Sequence, residues 1–176
     1  MHILDIIQNS ISAGATRVRL MVDEDPGADL LAIAIEDNGR GMTPEQVSRL
    51  SDPFFTSRTT RKVGMGIPLL KQTAEQCGGH VRVISEPGRG TDVTAVFGYS
   101  HIDRPPLGDV ANAFMITASS NPELDFRLTY LYSGNEYTLD TADVKEVFGD
   151  DAMTNLTIVK NIEEMLKENI AEIRNS

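Results

Sequence analysis

The sequence predicts an α/β fold over its first hundred residues, followed by a C-terminal α+β extension. Three observations carry this. Segments with apolar residues spaced by three and four alternate with short runs rich in Val, Ile and Leu up to residue 97. Glycine, proline or Asp/Asn pairs stand at the changes between them. After residue 98 the texture shifts to an acidic region that ends in a long helical stripe. Residues 1–100 and 101–176 are therefore read as two parts, the second either packed on the first or used for partner contact.

Residues 3–14 form the first predicted helix, with Leu4, Ile7 and Ile11 as its apolar stripe and Gly14 as its stop. Strands are expected from Arg17 to Val22 and from Leu31 to Ile35, joined by the loop DEDPGAD. Thr43 caps a short helix with Pro44 at its first position. Residues 53–66 read as irregular. A second long helix runs from Ile67 to Cys77 and is stopped by Gly78-Gly79, with Pro68 taken as its first helical position. Val81–Ser85 and Thr91–Phe97 are strands around Glu86-Pro87-Gly88-Arg89-Gly90.

In the second part, a Pro-bearing connection from His101 to Gly108 leads to a helix at Asp109–Ser119. A hairpin pairs Phe126–Tyr132 with Tyr137–Leu139. Val144, Val147 and Phe148 mark a short helix. Leu156, Val159, Ile162, Leu166, Ile170 and Ile173 give a final long helix its apolar stripe, read as core first and as a partner or homodimer contact second.

At 176 residues the chain buries roughly 70% of its unfolded surface, so its core needs no staples. The single cysteine, Cys77, cannot form an internal bridge and fits a reducing cytoplasm. No apolar run approaches the roughly 20 residues of a membrane span, and residues 1–15 lack the pattern of a secretory signal. No membrane association is expected. Net charge is −10, and most of the excess lies past residue 100, where 14 acidic side chains face 6 basic ones. Such a balance opposes the counterion displacement that nucleic-acid binding requires, so no nucleic-acid partner is expected. Arg58, Arg61 and Lys62 form one local basic cluster, which leaves a phosphate-bearing ligand open.

Three motifs can do chemistry. Asp5, Gln8, Asn9 and Ser12 form a polar stripe on the first helix that contains none of the Lys, Arg or Glu usual on an exposed face. Asp5 and Asn9, one turn apart, offer a carboxylate that can orient water and an amide oxygen that can take one position around Mg²⁺; a solvent-facing side is the plain alternative. Asp37-Asn38-Gly39-Arg40-Gly41-Met42 follows the apolar run LAIAI. An Asp there can accept from an exocyclic amine, and the glycines admit a flat ring, although an ordinary Asn-Gly turn has the same wording. Gly64-Met65-Gly66-Ile67-Pro68 opens the second long helix, where unpaired N–H groups favour an anion. The lysine-bearing phosphate loop is absent.

Together, in this order, these motifs resemble the GHKL superfamily of gyrase-type, chaperone, histidine-kinase and MutL-type ATPases. LDIIQNSISAGAT resembles the N box in its MutL-type wording, and DNGRGM is similar to the first glycine box. DPFFTSR resembles the F box of histidine kinases, and GMGIPLL with GGHVRVISEPGRGTDVTAVF resembles their second glycine box and closing strands. The likeness covers about residues 4–97.

The resemblance implies a two-layer α/β sandwich with a mixed sheet, the Bergerat-type ATP-binding fold, with ATP and Mg²⁺ as cofactors. Asp37 would bind the adenine amine, Asn9 would ligate Mg²⁺, and Asp5 would be the catalytic carboxylate. Gly39, Gly41 and Met42 would line the nucleotide, Gly64, Met65 and Gly66 would approach the phosphates, and Thr91 would lie near adenine. Arg58, Arg61 and Lys62 would fall in a lid. Three departures bear on activity. Asp5 is a methylene shorter than the Glu common in gyrase-type and MutL-type members, so slow or absent hydrolysis is expected. Ser12 and Pro68 replace the more usual N-box and glycine-box residues. His2, His80 and His101 stand in no acceptor context, so any phosphate acceptor would be another protein. The expectation is a regulatory protein acting as a protein kinase in trans or a slow ATPase. The alternative is a non-catalytic, nucleotide-gated protein-binding module.

Overall fold

The computed structural model describes residues 3–50 and 66–176. The basic cluster, the F-box-like segment, Gly64 and Met65 lie outside these residues, as does His2. The described chain begins with α1 (Ile3–Ser12), β1 (Arg17–Asp25), β2 (Leu30–Asp37), α2 (Pro44–Arg49), α3 (Gly66–Gln76), β3 (His80–Glu86) and β4 (Gly90–Gly98). It continues with α4 (Val110–Ser120), β5 (Asp125–Tyr132), β6 (Asn135–Asp140), α5 (Thr141–Phe148), a 3₁₀ turn (Asp150–Thr154) and α6 (Leu156–Asn175).

Six strands form one mixed sheet in the order β3-β4-β2-β1-β5-β6. Neighbours pair antiparallel except β1 and β5, which run parallel with Val18 opposite Phe126 and Val22 opposite Tyr130. Strand alternation turns one face inward. Leu20, Ile35 and Val93 make one buried row, Val22, Ile33 and Ala95 the next, and Leu128 and Tyr130 carry these rows onto β5. Helices cover this face, while Arg19, Glu36 and Arg127 on the other are exposed. The result is the expected two-layer α/β sandwich with a mixed sheet.

The hairpin of the second part is thus continuous with the sheet of the first. α6 packs on β5, β6 and α4, with Leu166 fully buried and Ile162 nearly so. The terminal stripe is core along its middle, whereas Leu156 at its start is 85% exposed.

Local chemistry explains the boundaries. Thr43 caps α2 in a reciprocal capping box with Gln46. Asp109 caps α4, Asp140 caps α5, and Asn155 caps α6 by accepting from the Thr157 and Ile158 N–H groups. Three expectations shift. In α1 the buried face is Ile3, Ile6, Ile7 and Ser10, and Leu4 is 49% exposed, because the helix meets the sheet about one residue round from the stripe Leu4/Ile7/Ile11. β1 runs on through Asp25, so Glu24 is a buried strand residue and not part of a loop. α3 starts at Gly66, which makes Pro68 its third residue, still within the turn whose N–H groups lack helical partners.

Glu24 can be buried because it is paired. The Tyr130 hydroxyl donates to it, and Arg174 Nε stands 3.5 Å from its Oε1 while the guanidinium lies over the Tyr132 ring. Burial, and then the bond to Glu24, push the Tyr130 hydroxyl well above the usual tyrosine range. The end of α6 is therefore tied to the middle of the sheet. No described helix is long and apolar enough to cross a membrane.

Because Leu166 and the sheet share one core, thermal unfolding is expected to be a single transition, and Leu166→Ala should cost about 3 kcal/mol, lowering the midpoint by about 10 °C. Calorimetry checks this; two wild-type transitions, with only one moved by the substitution, would contradict it.

Candidate functional site

The inward rows of the sheet turn polar at one end. Asp37 closes β2, Thr91 lies opposite it on β4, and Ser85 lies opposite Thr91 on β3. Asp37 is 8% exposed. A carboxylate this buried requires donors, and it has two: Ser10 Oγ donates to Oδ2 at 2.6 Å, and the Gly39 N–H donates to Oδ1 at 2.8 Å. Each oxygen keeps lone-pair capacity for a further donor. Ser10 comes from α1, so the helix and the strand end are fixed relative to each other through this one side chain.

The turn after Asp37 is clamped on both sides. Asn38 Oδ1 accepts from the Thr16 and Arg17 N–H groups, each at 2.9 Å. The Arg40 N–H donates to Ala13 O at 2.9 Å, and Arg40 O accepts from the Gly88 N–H at 2.7 Å. Gly41 has φ +67° and presses on the β3–β4 turn, where a Cβ would collide with the Glu86 carbonyl. Gly90, at φ +105°, presses equally on the Asp37 carbonyl. Ser85 Oγ completes the clamp, accepting from the Met42 N–H at 2.8 Å, donating to Gly90 O at 2.9 Å and meeting Thr91 Oγ1 at 2.9 Å.

Above this turn lies a cavity of about 230 Å³. Of the residues singled out in the sequence, Asn9, Asp37, Gly41, Met42 and Thr91 line it. Leu50, Ile67 and Val93 supply apolar wall, and Arg40, Gln46 and Arg49 stand among its polar lining. An apolar slot with one buried carboxylate at its floor suits a flat ring that bears an amine. Gly39 is tucked against Ala13, beneath the lining. Asp5 is exposed and outside the described lining, and a Cβ built on Gly66 would come within 3.0 Å of its Cβ. The start of α3 is thus brought against Asp5 at Gly66, while Ile67 and Pro68 after it line the cavity above Asp37.

Asn9 Nδ2 is buried without a hydrogen-bond partner among the described residues. An amide so placed at a cavity wall has a donor unsatisfied among the described residues, and its oxygen and nitrogen exchange by a simple flip. Among the described residues no group of three His, Cys, Asp or Glu could hold a metal. One amide oxygen here, with water and phosphate completing the shell, is a donor set that fits Mg²⁺.

Sequence reasoning missed Ser10, Ser85, Arg40 and Arg49. Ser10 carried a readable signal, since serine in mid-helix is poorly suited unless its hydroxyl has a partner. Ser85 carried none, because its role depends on cross-strand register. His80 is exposed and His101 half-buried, and neither lines this cavity.

Residues 2–100 match the family described as histidine kinase-, DNA gyrase B-, and HSP90-like ATPase. The chain is 38% identical over 95 residues to the sensor protein kinase FleS of Pseudomonas aeruginosa, covering 53% of this chain and 23% of that one. It is 32% identical over 120 residues to the non-motile and phage-resistance protein of Caulobacter vibrioides, covering 63% of this chain and 14% of that one. It thus spans less than a quarter of the length of either relative. Among solved structures, the N-terminal domain of a DNA repair protein superposes on 85% of this chain and 56% of its own, with TM-score 0.53 and 15% identity, a likeness of fold. With its buried Asp37, its clamped glycine turn and this match, the chain belongs to the histidine kinase-, gyrase B- and HSP90-like ATPase family.

Proposed function

We propose that the chain binds ATP with Mg²⁺ in the cavity above Asp37 and acts in regulation, as a protein kinase in trans or a slow ATPase. The observation that carries this reading is the buried Asp37 carboxylate, held by Ser10 and Gly39 at the floor of an apolar slot with acceptor capacity to spare. In this reading Asp37 accepts from the adenine amine, and Thr91 stands beside it on the same row. Met42, Ile67 and Val93 face the ring, Gly41 lets it approach the backbone, and Asn9 supplies the amide oxygen for Mg²⁺. ATP with Mg²⁺, when bound, supplies an activated phosphoryl group; the protein's part is positioning and charge neutralisation. Gly39, Gly64, Met65 and Gly66 keep their proposed places near the nucleotide, and a protein acceptor accounts for the lack of a suitable histidine among the described residues.

One observation favours a second reading. Asp5 is short, exposed and outside the described lining of the cavity, a weak arrangement for holding a water in line. ATP would then act by changing affinity for a protein partner.

Asp37→Asn is expected to weaken ATP binding about 100-fold, roughly 2.7 kcal/mol. Calorimetric titration checks it, with a melting curve to confirm that the variant folds; equal affinity would remove Asp37 from the site. Phosphate release by the protein alone is expected well below the roughly 10 s⁻¹ of a median enzyme, with Asp5→Ala reducing it at least tenfold. Unchanged release in that variant would dismiss Asp5 as the activating carboxylate. No release from ATP-bound wild type would rule out the slow ATPase and leave a kinase lacking its acceptor protein or the gated module.

A further inference from the structure

Far along the chain from the nucleotide motifs, one short segment exposes an unusual amount of apolar surface. Val147 and Phe148 at the end of α5 are 73% and 56% exposed, and Leu156 at the start of α6 is 85% exposed. The sequence pattern placed Leu156 in the core stripe of the final helix. The exposure of the three residues is not fraying. Asp140 caps α5, Asn155 caps α6, and Ala152 and Met153 between them are buried at 1% each. Capped helix ends and the buried turn between them therefore hold three large apolar side chains in water within one short stretch of chain.

The charge around them has one sign. Glu146, Asp150 and Asp151 are exposed, and residues 146–159 contain no Lys or Arg. The flanking cations are engaged: Lys145 Nζ donates to Leu124 O at 2.8 Å and meets Asp125 Oδ1 at 3.0 Å, and Lys160 lies 4.0 Å from Glu164. Within this segment no Lys or Arg offsets the acidic side chains beside the apolar ones.

We infer that residues 146–156 form a docking surface for a basic amphipathic segment of another protein, one that sets Lys or Arg beside bulky apolar side chains. Charge decides among occupants. A two-fold dimer would lay this surface on itself, carboxylate against carboxylate. Nucleic acid and anionic lipid carry the same sign as the surface and are repelled. A basic amphipathic helix meets both features at once, its apolar face covering Val147, Phe148 and Leu156 and its cations reaching the carboxylates.

The probe is a fluorescent Leu/Lys amphipathic peptide of about five helical turns, compared by anisotropy with a scrambled peptide of the same composition. The full chain is used without nucleotide, so the outcome does not depend on ATP binding. Wild type is expected to bind the amphipathic peptide about tenfold more tightly than the scrambled one. The variants Val147→Ser/Phe148→Ser/Leu156→Ser and Glu146→Gln/Asp150→Asn/Asp151→Asn should each weaken it about tenfold. Both change exposed side chains, so their melting temperatures should match wild type. Equal binding of the two peptides, or an apolar triple variant that binds like wild type, would overturn the proposal. A wild-type dimer that dissolves in the apolar variant, seen by light scattering, would overturn it in favour of a second copy.

Discussion

Every feature of the candidate site depends on burying one carboxylate where β2 ends. Asp37 at 8% exposure demands donors, and the two it takes come from different directions: Ser10 from α1 and Gly39 from the following turn. Satisfying it therefore fixes how α1 lies on the sheet and how the chain leaves β2. The turn is then pressed against the β3–β4 connection so closely that Gly41 and Gly90 leave no room for a side chain. Ser85 is bonded to Met42, Gly90 and Thr91 in one cluster. A pocket built on strand ends and hydrogen-bonded turns is already shaped before any ligand arrives, which lowers the cost of ordering it on binding.

The sheet couples this end of the molecule to the acidic C-terminal part. β5 pairs in parallel with β1 along its length, so Phe126 and Leu128 share rows with Val18 and Leu20 from the first hundred residues. At the far end of β1 a second buried carboxylate, Glu24, is satisfied by Tyr130 and Arg174 from β5 and α6. One strand thus runs between a site-end row organised by Asp37 and an opposite row organised by Glu24. Removing either carboxylate's partners would leave a buried charge uncompensated, a larger penalty than the modest net value of the pair itself.

Local signals were legible because they act locally. The Thr43 cap, the stop at Gly14 and the hairpin between β5 and β6 all depend on residues a few positions apart. The family resemblance named Asn9, Asp37, Gly41, Met42 and Thr91, and these five side by side line one cavity. What the sequence hid depends on contacts between distant segments. The face of α1 is set by the demand of Asp37 for Ser10, 27 residues away, and hydrophobic spacing alone favoured Leu4 over Ile3. Glu24 read as loop because its partners lie 106 and 150 residues further on. Leu156 read as core because an apolar residue at helical spacing carries no mark of where the helix leaves the core.

The central claim is that Asp37 reads the exocyclic amine of adenine. Competition between ATP and inosine triphosphate tests it most directly, since the two differ at the base by the replacement of that amine with an oxo group. The account predicts that ATP binds at least tenfold more tightly, because the inosine oxygen would face the Asp37 carboxylate with no proton to share. Equal affinity for the two nucleotides would contradict it and move the base away from Asp37.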